Sequence, residues 1–389
     1  QYGQDRAWVK ERVVKALRGE EIWCQLFSEP SGGSDLAALR TRVEPDGNGW
    51  KMNGQKIWTS WAQYCDYGVI VTRSDPTVEK HKGLTYFWID MKAKGVDVRP
   101  IKLAGGDSHV NEVFFDDVRV VGPVGDDFGA EEFAILERRG TNTEDVERVA
   151  GGKTFFWAGE YHDNLNSRET HVTDLNVFET FEPKLSEASA ACDVLFLANI
   201  QPELQLQVRR ACTRARFVAM DSMDLWINIA NHSLREVIAE VDCLLLNDEE
   251  LELLTGKPNT VAAARELLAG ENAPSSIVAK QGKYGAALHT REGVFALPAY
   301  PLEHVADPTG AGDSFAGGFV GYVAAHPDAE IDHDLLTRAM AYGTAVASFN
   351  VEEFGTDRVA RLTAPEIAGR VGDLQAMTTF TDAPVALRD

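Results

Sequence analysis

Asp307-Pro308-Thr309-Gly310-Ala311-Gly312-Asp313-Ser314-Phe315-Ala316-Gly317-Gly318 is a two-glycine turn bracketed by carboxylates and followed by small residues. Glycines let the backbone approach a ligand closely and aim several N–H groups one way. The pattern predicts a helix over Ser314–Ala325, which sets those N–H groups at its positive end, where a phosphate is favoured. Asp313 would stand beside that anion, placed to take a proton from an attacking hydroxyl. A glycine-rich turn before a helix is also an ordinary structural device, so neighbouring features have to separate the two meanings.

The 389 residues suggest two domains, and 44% hydrophobic residues are enough for real cores. A net charge of -22 repels nucleic acid and anionic membrane, so neither is an expected partner. The same field opposes ATP or coenzyme A, which would need local cations or Mg²⁺. No apolar run is long enough to span a bilayer, and the N-terminus lacks a signal-peptide pattern. Cys24, Cys65, Cys192, Cys212 and Cys243 are scattered, with no C-x-x-C pair. A reducing cytoplasm fits that spacing better than a disulfide or metal framework.

Texture changes near position 120. Six of the eight tryptophans precede it. Helical spacing marks Asp5–Leu17. Asp46-Gly47-Asn48-Gly49 and Asn53-Gly54 read as turns between short strands, and further strands are expected over Tyr67–Thr72, Leu84–Met91, Val96–Pro100 and Glu112–Val120. Together they predict a small antiparallel sandwich or barrel. Beyond Val121, helical patterns at Glu131–Arg139, Gln205–Cys212, Val261–Ala269 and Asp334–Phe349 alternate with apolar runs at Val194–Ala198, Phe217–Met220, Cys243–Leu246 and Ser276–Ala279. That alternation predicts an α/β domain with a mostly parallel sheet. Phe155–Tyr161 and Thr170–Val177 suggest an antiparallel flap. The expected division is therefore 1–120 and 121–389.

Three stretches bear on the anion site. Asn247 and Glu250 follow a buried run, at the strand end where ligands bind in open α/β sheets, and could hold hydrated Mg²⁺; their spacing is equally a helix capping pattern. Lys280, Gly282, Lys283 and Gly285 offer cations and close backbone approach to a nucleotide, or simply a hairpin turn. Small residues around Tyr342 could wall an adenine slot or pack one helix against another.

With these motifs in place, Val121 to about Phe380 resembles the ribokinase/PfkB family of carbohydrate and nucleoside kinases. The resemblance rests on the Asp307–Gly318 stretch, on Val121-Gly122-Pro123-Val124-Gly125-Asp126-Asp127-Phe128-Gly129, and on the N-x-x-E of Asn247 and Glu250. It implies ATP and Mg²⁺ as cofactors, Asp313 as catalytic base, and an anion hole from the amides of Gly310, Ala311 and Gly312. It implies Mg²⁺ at Asn247 and Glu250, and a monovalent cation such as K⁺ at Asp307. Lys280, Gly282, Gly285 and Tyr342 fall on nucleotide positions, although many members carry a hydroxyl residue where Lys280 stands. The family's opening strand and Gly-Gly sugar segment have no counterpart before Val121, so the sheet should lack its first strand or strands. Asn199 and the flap around Asn164–Asn176 are the remaining candidates for substrate contact. A sugar or nucleoside is the implied small-molecule partner, and a homodimer is compatible with the resemblance.

Residues 1–120 resemble the middle of an acyl-CoA dehydrogenase. The carrying motifs are Ser28-Glu29-Pro30-Ser31-Gly32-Gly33-Ser34-Asp35, Asn53-Gly54-Gln55-Lys56-Ile57-Trp58-Thr59-Ser60 and Asn111-Glu112-Val113-Phe114-Phe115-Asp116-Asp117-Val118. Resemblance implies that Phe27, Ser28, Trp58 and Ser60 face the ring of FAD and that Ser34 lies near acyl-CoA. Trp50, Trp58, Trp61 and Trp88 could equally be barrel core. The helical bundle that supplies this family's proton-abstracting carboxylate is replaced by the kinase-like segment. Three readings stand on the sequence: a PfkB-type ATP-dependent phosphotransferase, an FAD-dependent acyl-CoA dehydrogenase fragment, and a catalytically inert fusion of the two.

Overall fold

The computed structural model describes residues 6–29, 36–46, 49–79, 81–93, 95–101, 108–115, 118–161, 168–270, 272–327 and 329–379. Ser34, Gly47, Asn48 and Asn164 lie outside them. The chain forms two compact units, residues 1–120 with 129–144, and residues 121–128 with 145–389.

The first unit contains helix α1 (Arg6–Leu17) and strands β1 (Trp23–Leu26), β2 (Arg42–Asp46), β3 (Gly49–Ser60) and β4 (Tyr67–Arg73). Strands β5 (Leu84–Asp90), β6 (Val96–Ile101) and β7 (Val110–Phe115) complete its sheet, and helix α2 (Ala130–Arg138) follows. The sheet runs β1-β4-β2-β3-β7-β6 with β5 beside β4. Pairing is antiparallel except at β1–β4 and the single β2–β4 contact. Strand β4 shows the pleat directly: Gly68, Ile70 and Thr72 point inward, and their neighbours do not. Leu26, Val43, Ile70, Phe87 and Val113 form the core.

Asn53-Gly54 is not a turn. It lies inside the twelve-residue β3. Gly54 takes φ +142°, and a Cβ there would sit 2.7 Å from the Thr41 Cα, so glycine serves close strand approach instead of reversal. The strand expected to run to Val120 ends at Phe115, and Arg119 pairs with Asn142 in an isolated bridge outside the named strands.

In the second unit, β8 (Gly122–Val124) and β9 (Val146–Arg148) pair in parallel. The expected flap is an antiparallel ribbon of β10 (Phe156–Tyr161) and β11 (Arg168–Asp174). The main sheet comprises β12 (Val194–Leu197), β13 (Phe217–Asp221), β14 (Cys243–Asn247), β15 (Ser276–Lys280), β16 (Ala286–Thr290) and β17 (Val294–Leu297), in that spatial order. It is parallel from β12 to β15 and antiparallel beyond. Among the described residues β12 pairs only with β13.

Helices α3 (Glu187–Ala190), α4 (Pro202–Ala211), α5 (Asp224–Ile229), α6 (Asn231–Ile238), α7 (Asp248–Thr255) and α8 (Thr260–Leu268) connect the strands. Helices α9 (Ala311–Ala324), α10 (His333–Asn350), α11 (Asp357–Ala360) and α12 (Ala364–Thr378) follow the sheet. The apolar runs are continuous because both sheet faces are covered. Val218, Met220, Leu244, Leu246 and Ile277 face a core with α4 and α6–α8. The alternate residues Phe217, Ala219, Cys243, Leu245 and Val278 face α9 and α10.

Candidate active site

Three polar residues end neighbouring parallel strands on the same side of the sheet: Asp221 on β13, Asn247 on β14 and Lys280 on β15. Asn247 lies directly opposite Lys280 in the register. In open α/β sheets the carboxyl ends of the strands are where ligands gather. The turn before α9 arrives there too, because a Cβ on Gly312 would sit 3.3 Å from the Lys280 Nζ.

The helix begins at Ala311 rather than Ser314, with Gly310 as its cap at φ 77°. Left-handed backbone at that point favours glycine. Asp313 is in the first helical turn and is exposed. The Ala311 amide closes the turn on the Pro308 carbonyl at 3.2 Å. Buried Asn350, from the end of α10, braces this turn from behind. Its Nδ2 donates to the Thr309 carbonyl at 2.7 Å, and its Oδ1 accepts from the Ser314 hydroxyl at 2.9 Å. Asp307 fastens the preceding loop by accepting from the amides of Thr309 (2.9 Å) and Gly355 (3.3 Å). Burial raises its pKa, but the hydrogen bonds outweigh that, and the carboxyl lies below the usual aspartate value.

Lys280 donates to Asp221 Oδ2 at 2.7 Å, with both side chains largely buried. Burial would draw its pKa down, yet the charges of Asp221, Glu250 and Asp313 hold it above the ordinary lysine value. Asn247 and Glu250 form a complete capping box on α7. The Asn247 side chain accepts from the Glu250 amide at 2.7 Å, and the Glu250 carboxylate accepts from the Asn247 amide at 2.9 Å. The capping meaning of that spacing is therefore realised. Among the described residues no three His, Cys, Asp or Glu side chains converge closely enough to hold a metal by themselves. Mg²⁺ that keeps several waters and phosphate ligands does not need such a cage.

Gly282 and Gly285 form the connection between β15 and β16, and a Cβ on Gly285 would meet the Leu297 carbonyl at 2.0 Å. The Tyr342 ring lies tilted against that of Tyr322 with centroids 4.4 Å apart, and its carbonyl lies 2.8 Å from the Cβ position of Gly318. Its segment packs α10 on α9. Asn199 is exposed and accepts from the Trp226 indole N–H at 3.1 Å. Asp221 and Asn350 were not anticipated. Asp221 had a legible signal, since it ends the run Phe217–Met220 as Asn247 ends Cys243–Leu246. Asn350 had none.

The first unit carries a cavity of about 720 Å³ lined by Phe27, Ser28, Trp58 and Ser60, together with Cys24 and Tyr64 among others. Trp58 and Trp61 are not core: both take left-handed φ (60° and 58°) and are more than half exposed. Such backbone is costly for a bulky residue and tends to mark functional sites.

Residues 106–361, more than half of the chain, match the pfkB family carbohydrate kinase. The chain belongs to the pfkB carbohydrate kinase family. Residues 24–118 match the acyl-CoA dehydrogenase middle domain. The nucleoside kinase of Methanocaldococcus jannaschii superposes with a TM-score of 0.52 at 17% identity, covering 91% of this chain and 96% of that one. The Burkholderia thailandensis nucleoside kinase in complex with ADP-inosine gives 0.53 at 17% identity, covering 70% and 80%. An Escherichia coli ribokinase-type protein in complex with ATP and Mg²⁺ gives 0.54 at 17% identity, covering 66% and 83%. These establish a shared fold. On the other side, acyl-CoA dehydrogenase FadE34 of Mycobacterium tuberculosis is 52% identical over 122 residues, 30% of this chain and 17% of that protein. Acyl-CoA dehydrogenase IpdE1 of the same organism is 41% identical over 128 residues, 32% and 33%. The chain thus spans a third or less of these dehydrogenases. Among the described residues no helix is long and apolar enough to cross a membrane.

Proposed function

We propose that residues 121–389 catalyse ATP-dependent phosphoryl transfer to the hydroxyl of a sugar or nucleoside. The observation that carries this is an exposed Asp313 in the first turn of a glycine-capped helix, beside a lysine at the ends of the parallel strands. Asp313 takes the acceptor hydroxyl proton as that oxygen bonds to the γ-phosphorus. The bond to the β-bridging oxygen breaks and ADP leaves. Of the three amides expected to form the anion hole, that of Ala311 is committed to the Pro308 carbonyl, so those of Gly310 and Gly312 would meet the charge that develops on the transferred group, and Lys280 adds a fixed cation. Asn247 and Glu250 would hold Mg²⁺, directly or through water, and the ion screens the phosphate charge when bound. Asp307, below its usual pKa, supplies the anion a K⁺ site needs. Asn199 is the candidate acceptor contact. Five free cysteines agree with a cytoplasmic location, and a homodimer is the proposed assembly. Replacing Asp313 with Asn should leave the circular dichroism spectrum unchanged and lower kcat by about 10²–10⁴. Turnover equal to the parent enzyme, with a panel of sugars and nucleosides, would refute the assignment.

A second reading is favoured by the first unit's cavity. All four residues expected to face a flavin line it, and its volume is that of a small-molecule site. We infer that residues 1–120 bind a flat aromatic ligand of the flavin type, a retained capacity without dehydrogenation. FAD titrated into the protein should show the shifted, structured visible spectrum of a bound flavin. A spectrum identical to free FAD at saturating protein removes this reading and leaves the kinase reading untouched.

A further inference from the structure

We propose that Cys192 and Cys212 form an oxidation site, with Cys192 as the sulfur that meets a hydroperoxide and Cys212 as the thiol that closes the disulfide, and that this bridge clamps the edge of the main sheet. The fold brings two helix ends together there. Cys192 lies just after α3 on the turn into β12, and its amide donates to the Ser189 carbonyl at 3.3 Å. Cys212 caps the end of α4, and its thiol donates to that same carbonyl at 3.7 Å. One oxygen thus gathers both residues, and the Cys212 thiol also hydrogen-bonds the Cys192 sulfur. Cys212 is 1% exposed, whereas Cys192 is partly open to solvent. Cys192 precedes β12, at the opposite end of the sheet from Asp221, Asn247 and Lys280, so this chemistry does not depend on the kinase reading.

The thiolate, not the thiol, is the nucleophile. The hydrogen bond with Cys192, and then burial, push the Cys212 thiol up, so it keeps its proton and Cys192 is the sulfur that ionises. Arg209, whose Nη1 donates to the Cys212 carbonyl at 3.5 Å, sets a cation beside the pair. The Cys192 thiolate attacks one oxygen of hydrogen peroxide. The O–O bond breaks, the leaving hydroxide takes up the proton that Cys192 lost, and Cys192 becomes a sulfenic acid. The Cys212 sulfur then attacks the Cys192 sulfur, the S–O bond breaks, and the Cys212 proton leaves with the hydroxide as water. Two thiols and one peroxide thus give one disulfide and two waters. Cys24 and Cys65 also interact, but burial comes first for both and pushes both up, Cys24 to about 12, so thiolate is scarce there. The new bridge would join the end of α4 to the start of β12, whose only sheet neighbour among the described residues is β13. Gln205 of α4 already ties the other end of β12, donating to the Ala198 carbonyl at 2.8 Å and the Asp221 carbonyl at 2.9 Å. The disulfide fastens the free end and restricts the unfolded chain between Cys192 and Cys212.

The test is treatment of the folded full chain with hydrogen peroxide, followed by peptide mapping without reductant and by scanning calorimetry. Peptides carrying Cys192 and Cys212 should appear joined, with the loss of two hydrogens, and dithiothreitol should part them. The melting transition of the second unit should rise by about 5–10 °C in the bridged protein. In Cys212→Ala no bridge can close. Dimedone, which traps sulfenic acids, should then label Cys192 about tenfold or more above Cys24, Cys65 and Cys243, the factor that one pH unit of ionisation is worth. In Cys192→Ser the label should not move to Cys212. If Cys212→Ala fails to fold, the parent map and Cys192→Ser decide. Cys192 and Cys212 left reduced while other sulfurs oxidise overturns the proposal, as does a Cys24–Cys65 bridge that forms first. A Cys192–Cys212 bridge that leaves the melting transition in place overturns the clamp.

Discussion

Lys56 is fully buried, and its ammonium donates to Glu29 Oε1 at 2.6 Å, the Val71 carbonyl at 2.8 Å and the Phe27 carbonyl at 3.3 Å. Glu29 also accepts from the amides of Arg40 and Thr41. Burial pushes the Glu29 carboxyl up, but the charge of Lys56 and these donors outweigh it, so its folded pKa lies below the ordinary value. A lowered folded pKa gives stability that is present above about pH 4.3 and lost as pH falls through the folded value. Lys56→Met leaves the carboxylate buried without its cation, at a cost of about 3–5 kcal/mol near neutral pH. Burial then dominates and raises the Glu29 pKa, so the variant should recover relative to the parent as pH falls from neutral towards the carboxylate range. Urea melts across that range should show the gap narrowing; a gap independent of pH contradicts the pairing. Lys56 was quoted from the sequence only as part of a motif. Its burial was not legible, because it depends on three acceptors from distant parts of the chain, two just after β1 and one on β4.

Two glycines set the distance between α9 and α10. A Cβ on Gly318 would meet the Tyr342 carbonyl at 2.8 Å, and one on Gly343 would meet the Phe315 carbonyl at 2.8 Å. Both obstacles are backbone, so a helix has to move. Gly318→Ala or Gly343→Ala should each cost about 1–3 kcal/mol in denaturant melts, against the modest gain that alanine ordinarily brings to a helix. A stabilised variant would mean that the helices can part freely. At this scale much was readable from the sequence. The runs at Phe217–Met220, Cys243–Leu246 and Ser276–Ala279 became strands because burial on both faces writes an unbroken apolar signal. The same small residues around Tyr342 carried two meanings, of which helix packing is visible in the close approach of Gly318 and Gly343 to the facing backbone. Asn53-Gly54 misled because glycine serves both reversal and close approach, and only the neighbouring strand, through Thr41, tells them apart.

The two units have separate cores, one around Ile70 and Val113, the other on both faces of the β12–β17 sheet. Scanning calorimetry should resolve two transitions. Mg²⁺ with ATP at about 100 times its Kd should stabilise one of them by about 2.7 kcal/mol, and FAD should act only on the other. One transition that responds to both ligands would contradict separate sites. The two families behind these units were legible because each motif is local, a turn with its helix or a strand with its turn. The pairing of Lys280 with Asp221 was not, because the two residues stand on strands separated by β14. The left-handed tryptophans have a practical consequence. Trp58 and Trp61 hold their indoles half in water at the rim of the first unit's cavity. Their fluorescence should be red-shifted, and a coloured ring lying against them would darken it, so the chain carries its own optical reporter of occupancy.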